Sequence, residues 1–194
     1  MRVGILGSGL MGGKLGTLFA RAGHEVVFSY ARRHEKLKAL VRDARGNARA
    51  GTPREAAQEA DALLLAVHWS RMDDVLSQTG YLSGKVTVSC SLPMNAHYTE
   101  LVVAHTSSGA EVLANKVPKA RRKATRPSLV YCGDNASSKG IASELIRDAG
   151  FDPVDAGPLR IARYTEPFEL LVAQFAYGGK GGPELAYRFE RLGE

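Results

Sequence analysis

Gly7-Ser8-Gly9-Leu10-Met11-Gly12 has the spacing G-x-G-x-x-G. In that pattern the first glycine makes a tight turn, the second lets the backbone approach a pyrophosphate, and the third lets a helix pack closely on a strand. A short apolar run, Arg2 to Leu6, ends on the glycines, and a helical pattern opens from them. That context separates the match from a chance glycine turn. A helix N-terminus offers unpaired N–H groups and a partial positive charge, so phosphate oxygens find donors there without any side chain. The second half of such a site distinguishes two dinucleotides. An acid about 20 residues on holds the ribose 2′-hydroxyl of NAD, whereas NADP sites leave that place uncharged and put an arginine nearby. Here the stretch reads Phe28-Ser29-Tyr30-Ala31-Arg32-Arg33, with no acid. A guanidinium matches a phosphate dianion in a bidentate, charge-assisted way, so Arg32 and Arg33 point to NADP(H), with Ser29 and Tyr30 as further hydroxyl contacts. The competing reading is that the two arginines only begin a solvated helix.

Open α/β sheets bind ligands beyond the carboxyl ends of their strands. Ala66-Val67-His68-Trp69 and Ser91-Leu92-Pro93 lie at two such ends and are candidates to flank a nicotinamide. His68 is a candidate proton donor or hydrogen-bonding wall, set against a purely structural role. Trp69 reads as a packing residue. Hydride transfer to a good acceptor needs no acid or base on the protein, so an empty list of catalytic side chains is expected. His97 and His105 stand eight apart with no cysteine or carboxylate at ligand spacing, which gives no metal site. Cys90 and Cys132 each end a presumed strand and are expected as small buried hydrophobes. Five basic residues between Lys119 and Arg126 lack interleaved aromatics, so a solvated loop is expected there, not a nucleic-acid surface.

The elements that must position these residues follow from periodicity. Strand, glycine turn and helix, with Leu10, Leu15, Leu18 and Phe19 on one helical face, lead to a second strand at Glu25 to Phe28. A charged helix from Arg32 to Arg45 comes next. Thr52-Pro53-Arg54-Glu55 is the start signal of a short helix: an N-cap, a proline at the first position and an acid in the first turn. Ala62 to Val67 is a continuous apolar strand of the kind covered on both faces. A helix at Met72 to Gln78, a strand at Lys85 to Cys90, a helix at Ser108 to Lys116, a strand at Leu129 to Cys132, a helix at Lys139 to Ala149 and a strand at Phe151 to Val154 complete the order. The tail holds a helix from Leu159 to about Ala176, a glycine-rich break and a last helix from Pro183 to Arg191. Alternating strands and helices imply an α/β chain with a Rossmann-type doubly wound parallel sheet and a small C-terminal helical extension. The division expected is residues 1–157 for the dinucleotide domain and 158–194 for the extension.

The composition agrees. With 194 residues, 44% apolar and 24% charged, the chain is an ordinary globular one, not collagen, coiled coil or acidic tail. Its net charge of +6 favours anionic partners without choosing among them. Two cysteines give no disulfide framework, and neither a leader nor an apolar stretch long enough to span a bilayer is seen. A cytoplasmic location with no membrane partner is the expectation.

With these stretches in view, the chain resembles the NADPH-dependent reductases of coenzyme F420, a deazaflavin, also called F420H2:NADP oxidoreductases. The resemblance is carried by VGILGSGLMGGKLGTLFARAGHEVVFSYARR, HTSSGAE at His105 to Glu111, RPSLVYCGDN at Arg126 to Asn135 and DAGPLRIARYTEP at Asp155 to Pro167. It implies a dimeric Rossmann-type enzyme that moves hydride between NADP(H) and the deazaflavin, with a small-molecule acceptor as its partner. It also implies that Gly7 to Gly12, Ser29, Arg32 and Arg33 hold NADPH and that Val67, His68, Trp69 and Pro93 line the nicotinamide side. One stretch departs from the pattern: only Lys119 to Arg126 stand where the family carries a further strand and loop facing the deazaflavin.

Overall fold

The structure is a computed structural model that describes residues 1–82, 84–95, 97, 100–103, 108, 112–113, 127–178, 187 and 189. The basic stretch at 119–126, the glycine break at 179–182 and most of the two helices expected at 108–116 and 183–191 lie outside the described residues. Chain order is β1 (Arg2–Leu6), α1 (Leu10–Arg21), β2 (Glu25–Ser29), α2 (His34–Ala44), β3 (Ala48–Ala50), α3 (Pro53–Gln58), β4 (Ala62–Leu65), a 3₁₀ turn (Trp69–Arg71), α4 (Met72–Thr79), β5 (Val86–Ser89), β6 (Ser128–Tyr131), α5 (Ala136–Asp148), β7 (Asp152–Asp155), a second 3₁₀ turn (Leu159–Ile161) and α6 (Ala162–Gly178).

The first five strands form one parallel sheet in the order β3-β2-β1-β4-β5, with β1 between β2 and β4. Such an order puts helices on both faces, and two apolar clusters result. Val3, Ile5, Phe19, Phe28 and Leu64 pack with Leu37 of α2 and Leu145 of α5 on one face. Leu6, Leu63 and Leu65 pack with Ala56 and Ala57 of α3 and Val75 of α4 on the other. Each fully buried aliphatic or aromatic side chain contributes about 1.5–3 kcal/mol, so these two layers dominate the stability of the fold.

The doubly wound class holds, with one refinement. β6 and β7 pair in parallel with each other as a separate two-stranded sheet and do not extend the five. At the start of β6 the Ser128 N–H donates to the Tyr187 carbonyl (2.8 Å) and its hydroxyl accepts from the Phe189 N–H (2.9 Å). Leu145 and Ala149, at the end of α5, join this piece to the first cluster.

Two other expectations change. The buried face of α1 is Gly12, Gly13, Gly16, Phe19 and Ala20, whereas Leu10 and Leu18 are exposed. The reason is close approach: a Cβ on Gly16 would lie 2.4 Å from the Phe28 ring. An apolar count along the helix therefore misses the contact face. The short edge strand β3 is an addition, an Ala-Arg-Ala segment too short to show a pattern, whose exposed Arg49 pairs with Glu59 at 2.6 Å.

Candidate functional site

The glycine turn joins β1 to α1 above the carboxyl ends of β1, β2 and β4. Gly7 has φ +109°, and a Cβ there would meet the Ala66 carbonyl oxygen at 2.5 Å and Val67 Cγ1 at 2.6 Å. A Cβ on Gly12 would lie 2.0 Å from the Gly7 carbonyl oxygen and 2.9 Å from Ala66 Cβ. These two glycines let the helix start press against the turn and against Ala66 and Val67, both half-buried. Gly9 is different: no heavy atom lies within 4 Å of where its Cβ would project. The middle glycine therefore leaves the backbone open to an approaching group.

Gly9 is the N-cap of α1, extended, and supplies no side-chain cap; the first turn holds no acid. The first intrahelical bond runs from the Gly13 N–H to the Gly9 carbonyl (3.1 Å). The N–H groups of Leu10, Met11 and Gly12 thus have no acceptor within the helix. Leu10 and Met11 are 74% and 55% exposed, so their turn faces solvent. The contrast with other helices is informative. Thr52 and Glu55 form a reciprocal capping box on α3, and the Asn135 side chain accepts from Ser138 N–H (2.8 Å) on α5. α1 starts without a side-chain cap, as α2 and α4 do; what sets it apart is the open backbone at Gly9, beside N–H groups that an anion can take.

Beneath the turn, the Ser8 N–H donates to the carbonyls of Ser29 (3.1 Å) and Tyr30 (3.3 Å). The Ser8 hydroxyl also donates to the Ser29 carbonyl (2.8 Å), and the Ser29 hydroxyl to the Ile5 carbonyl (2.7 Å). Both side chains are fully buried, so these hydroxyls brace the turn from below and present no surface to a ligand. Tyr30 is half-buried at φ +53°, and its hydroxyl donates to the Asp74 carboxylate on α4. Burial first, and the Asp74 bond second, push this phenol up to about 12. Arg32 and Arg33 follow on the surface, and neither guanidinium has a hydrogen bond or ion pair among the described residues. Arg33 is the extended N-cap of α2.

On the other side of the turn, His68 caps the 3₁₀ turn. Its Nδ1 accepts from the Ser70 N–H (3.3 Å) and lies 2.8 Å from the Ser70 hydroxyl. That acceptor role puts the proton of a neutral imidazole on Nε2. Trp69 packs half-buried against the second cluster, as a packing residue does. The Ser91 hydroxyl donates to the Val67 carbonyl (2.7 Å), fixing this strand end. Pro93 is fully buried, and its carbonyl accepts from the Val102 N–H (2.7 Å); it supports the wall without lining it.

The cysteines divide. Cys90 keeps exposed surface at the end of β5, contrary to the buried role expected of it, while its sulfur donates to the Leu65 carbonyl (3.4 Å) and desolvation pushes the thiol up to about 12. Cys132 is half-buried, and burial raises it to about 11. Neither is a ready thiolate. Sequence reasoning missed Asp74: it sits 44 residues from Tyr30, and its only signal was an acid in the first turn of a helix. A cleft of about 80 Å³ lies at the opposite ends of the strands, among Arg2, Glu25, Asn47 and Glu59. Ligand pockets run about 300–1,000 Å³, so it is too small for a dinucleotide. Among the described residues no three His, Cys, Asp or Glu side chains group as metal ligands, and no helix is long and apolar enough to cross a membrane.

A parallel sheet ordered 3-2-1-4-5, a glycine turn above its central strand and an uncapped helix behind it define a Rossmann-type dinucleotide-binding fold. Comparison points to a particular family: residues 2–93 of the chain match the model of the NADP oxidoreductases described as coenzyme F420-dependent. The chain is similar to the metalloreductase STEAP3 of Rattus norvegicus, 28% identical over 185 residues that span 87% of this chain and 36% of that protein. The chain thus spans about a third of that relative. A crystal structure from Arthrobacter sp. FB24, assigned as an F420-dependent NADP-reductase, superposes with a TM-score of 0.82 at 19% identity, over 97% of this chain and 99% of that one. A reductive aminase from Aspergillus terreus, solved with NADPH4, cyclohexanone and allyl amine, gives 0.65 at 16% identity over 90% and 61%. At these identities the two structures speak for the fold alone.

Proposed function

We propose that this chain binds NADP(H) across the glycine turn and transfers hydride between it and a flat acceptor, a deazaflavin such as coenzyme F420, above the strand ends. The observation that carries the reading is the pairing of an open glycine turn at the α1 N-terminus with two guanidiniums one strand away that have no hydrogen bond or ion pair among the described residues. The pyrophosphate takes the N–H groups of Leu10, Met11 and Gly12, with Gly9 open beneath it. Arg32 and Arg33 take the ribose phosphate. Ser8 and Ser29 hold the turn in shape, and Ala66, Val67, His68 and Trp69 wall the nicotinamide end, supported by Pro93. When bound, the nicotinamide supplies the hydride; the chain supplies orientation and excludes water, and no side chain need move a proton. Residues 1–157 form the nucleotide domain and 158–194 the extension. The exposed stripe Tyr164, Leu171 and Phe175 on α6 is where a second copy would dock.

Nucleotide titration tests the binding half. An Arg32→Glu, Arg33→Glu variant should lose about 100-fold in NADPH affinity, two charge-assisted contacts at roughly 1.5 kcal/mol each, while NADH affinity holds. Equal loss for both nucleotides, or none, rejects the arginine assignment. For the acceptor, anaerobic bleaching of the deazaflavin absorbance by NADPH supports the reading. A panel with flavin, imine, carbonyl and, given the metalloreductase relative, a ferric chelate identifies the alternatives. Tight NADPH binding with no turnover of any acceptor leaves a nucleotide sensor.

A further inference from the structure

We propose that Tyr30 is a specificity-determining residue: by donating its hydroxyl to the exposed Asp74 it engages a carboxylate beside the ribose end of the crevice and so sets the preference for the phosphorylated nucleotide. The inference rests on the reading of Arg32 and Arg33 given above. Three observations carry it. First, Tyr30 sits at φ +53°, a region that bulky residues occupy only when their surroundings hold them there. Second, it is held at both ends. Its carbonyl accepts from the Ser8 N–H under the glycine turn at 3.3 Å, and its hydroxyl reaches Asp74 of α4. The side chain therefore spans from the end of β2, past β1, to the helix that follows β4. Third, the carboxylate it engages is held on its other oxygen too, by the Gln78 amide at 3.2 Å, and Arg71 adds positive charge at the same cluster.

An acid at the ribose end of a Rossmann crevice accepts from the 2′-hydroxyl of the unphosphorylated nucleotide and repels a dianion. The stretch after β2 carries no such acid, yet α4 brings one to the tyrosine from 44 residues away. With its hydroxyl bond to Tyr30 in place, Asp74 has one fewer free lone pair and less charge to present. The phenol stays a donor throughout the neutral range, because burial and Asp74 raise it.

The experiment is a four-protein cycle: wild type, Tyr30→Phe, Asp74→Asn and the double variant, each checked for a cooperative melt and titrated with NADPH and NADH. Tyr30→Phe should lower NADPH affinity about tenfold and leave NADH unchanged or tighter, the scale of one surface like charge freed of its hydrogen-bond donor. Asp74→Asn should leave NADPH binding at the wild-type level. The double variant should regain most of what Tyr30→Phe lost, because the group left without its phenol donor is now neutral. If the phenylalanine variant does not fold, Tyr30→Asn relieves the left-handed conformation and removes the hydroxyl's reach, with the same outcome expected. Equal weakening of both nucleotides, an unchanged ratio, or no regain in the double variant overturns the inference while leaving the nucleotide reading intact. A wild type that does not prefer NADPH overturns that reading and this inference with it.

Discussion

A methyl group on Gly12 would sit 2.0 Å from the Gly7 carbonyl oxygen, and that oxygen is backbone that cannot rotate away. Gly12→Ala should therefore push α1 off the turn, abolish nucleotide binding and cost roughly 1–3 kcal/mol of stability, read by isothermal titration and by denaturant unfolding. The spacing of Gly7, Gly9 and Gly12 was legible from the sequence because each glycine answers a local backbone demand. Ser29 was legible only in part. Its type suggested a contact, but its direction depends on the pleat of β2, which turns the hydroxyl down to Ile5. The Tyr30–Asp74 bond was illegible for another reason: it exists only once β2 and α4 have been brought together by the sheet order, and nothing near either residue announces the other.

At the scale of elements, end signals were read best. Thr52, Pro53 and Glu55 predicted the start of α3, and the structure closes both halves of the box, with Glu55 N–H to the Thr52 hydroxyl at 3.2 Å and Thr52 N–H to the Glu55 carboxylate at 2.6 Å. Those bonds hold the Glu55 carboxyl below the usual carboxylate range. Thr52→Ala should cost about 1 kcal/mol. For a chain of this size that lowers Tm by about 2–4 °C, which calorimetry resolves. The face of α1 was read worst. A hydrophobic stripe assumes that large side chains fill the gap between helix and sheet, whereas here Gly12 and Gly16 remove the gap and leave Leu10 and Leu18 in solvent. β3 was missed because three residues carry too little pattern to register.

Across the whole molecule, two apolar layers share one sheet, and α5 ties the β6–β7 pair to the first of them through Leu145 and Ala149. The alternation of strands and helices announced this class, but not the split of the sheet into five strands and two. Tyr164, Leu171 and Phe175 recur at helical spacing on α6 and are all exposed. If a second copy covers them, the wild type sediments as a dimer. A Leu171→Glu, Phe175→Glu variant should then sediment as a monomer with its nucleotide affinity unchanged.

The outermost strand, β3, offers a neighbouring molecule very little to latch onto. It is three residues long, and its middle side chain is a charged Arg49 already engaged by Glu59. A passing β-segment seeking a template for fibril growth would find a row too brief to zip along and a guanidinium to desolvate in the process. This border of the sheet is thus a poor template for self-association.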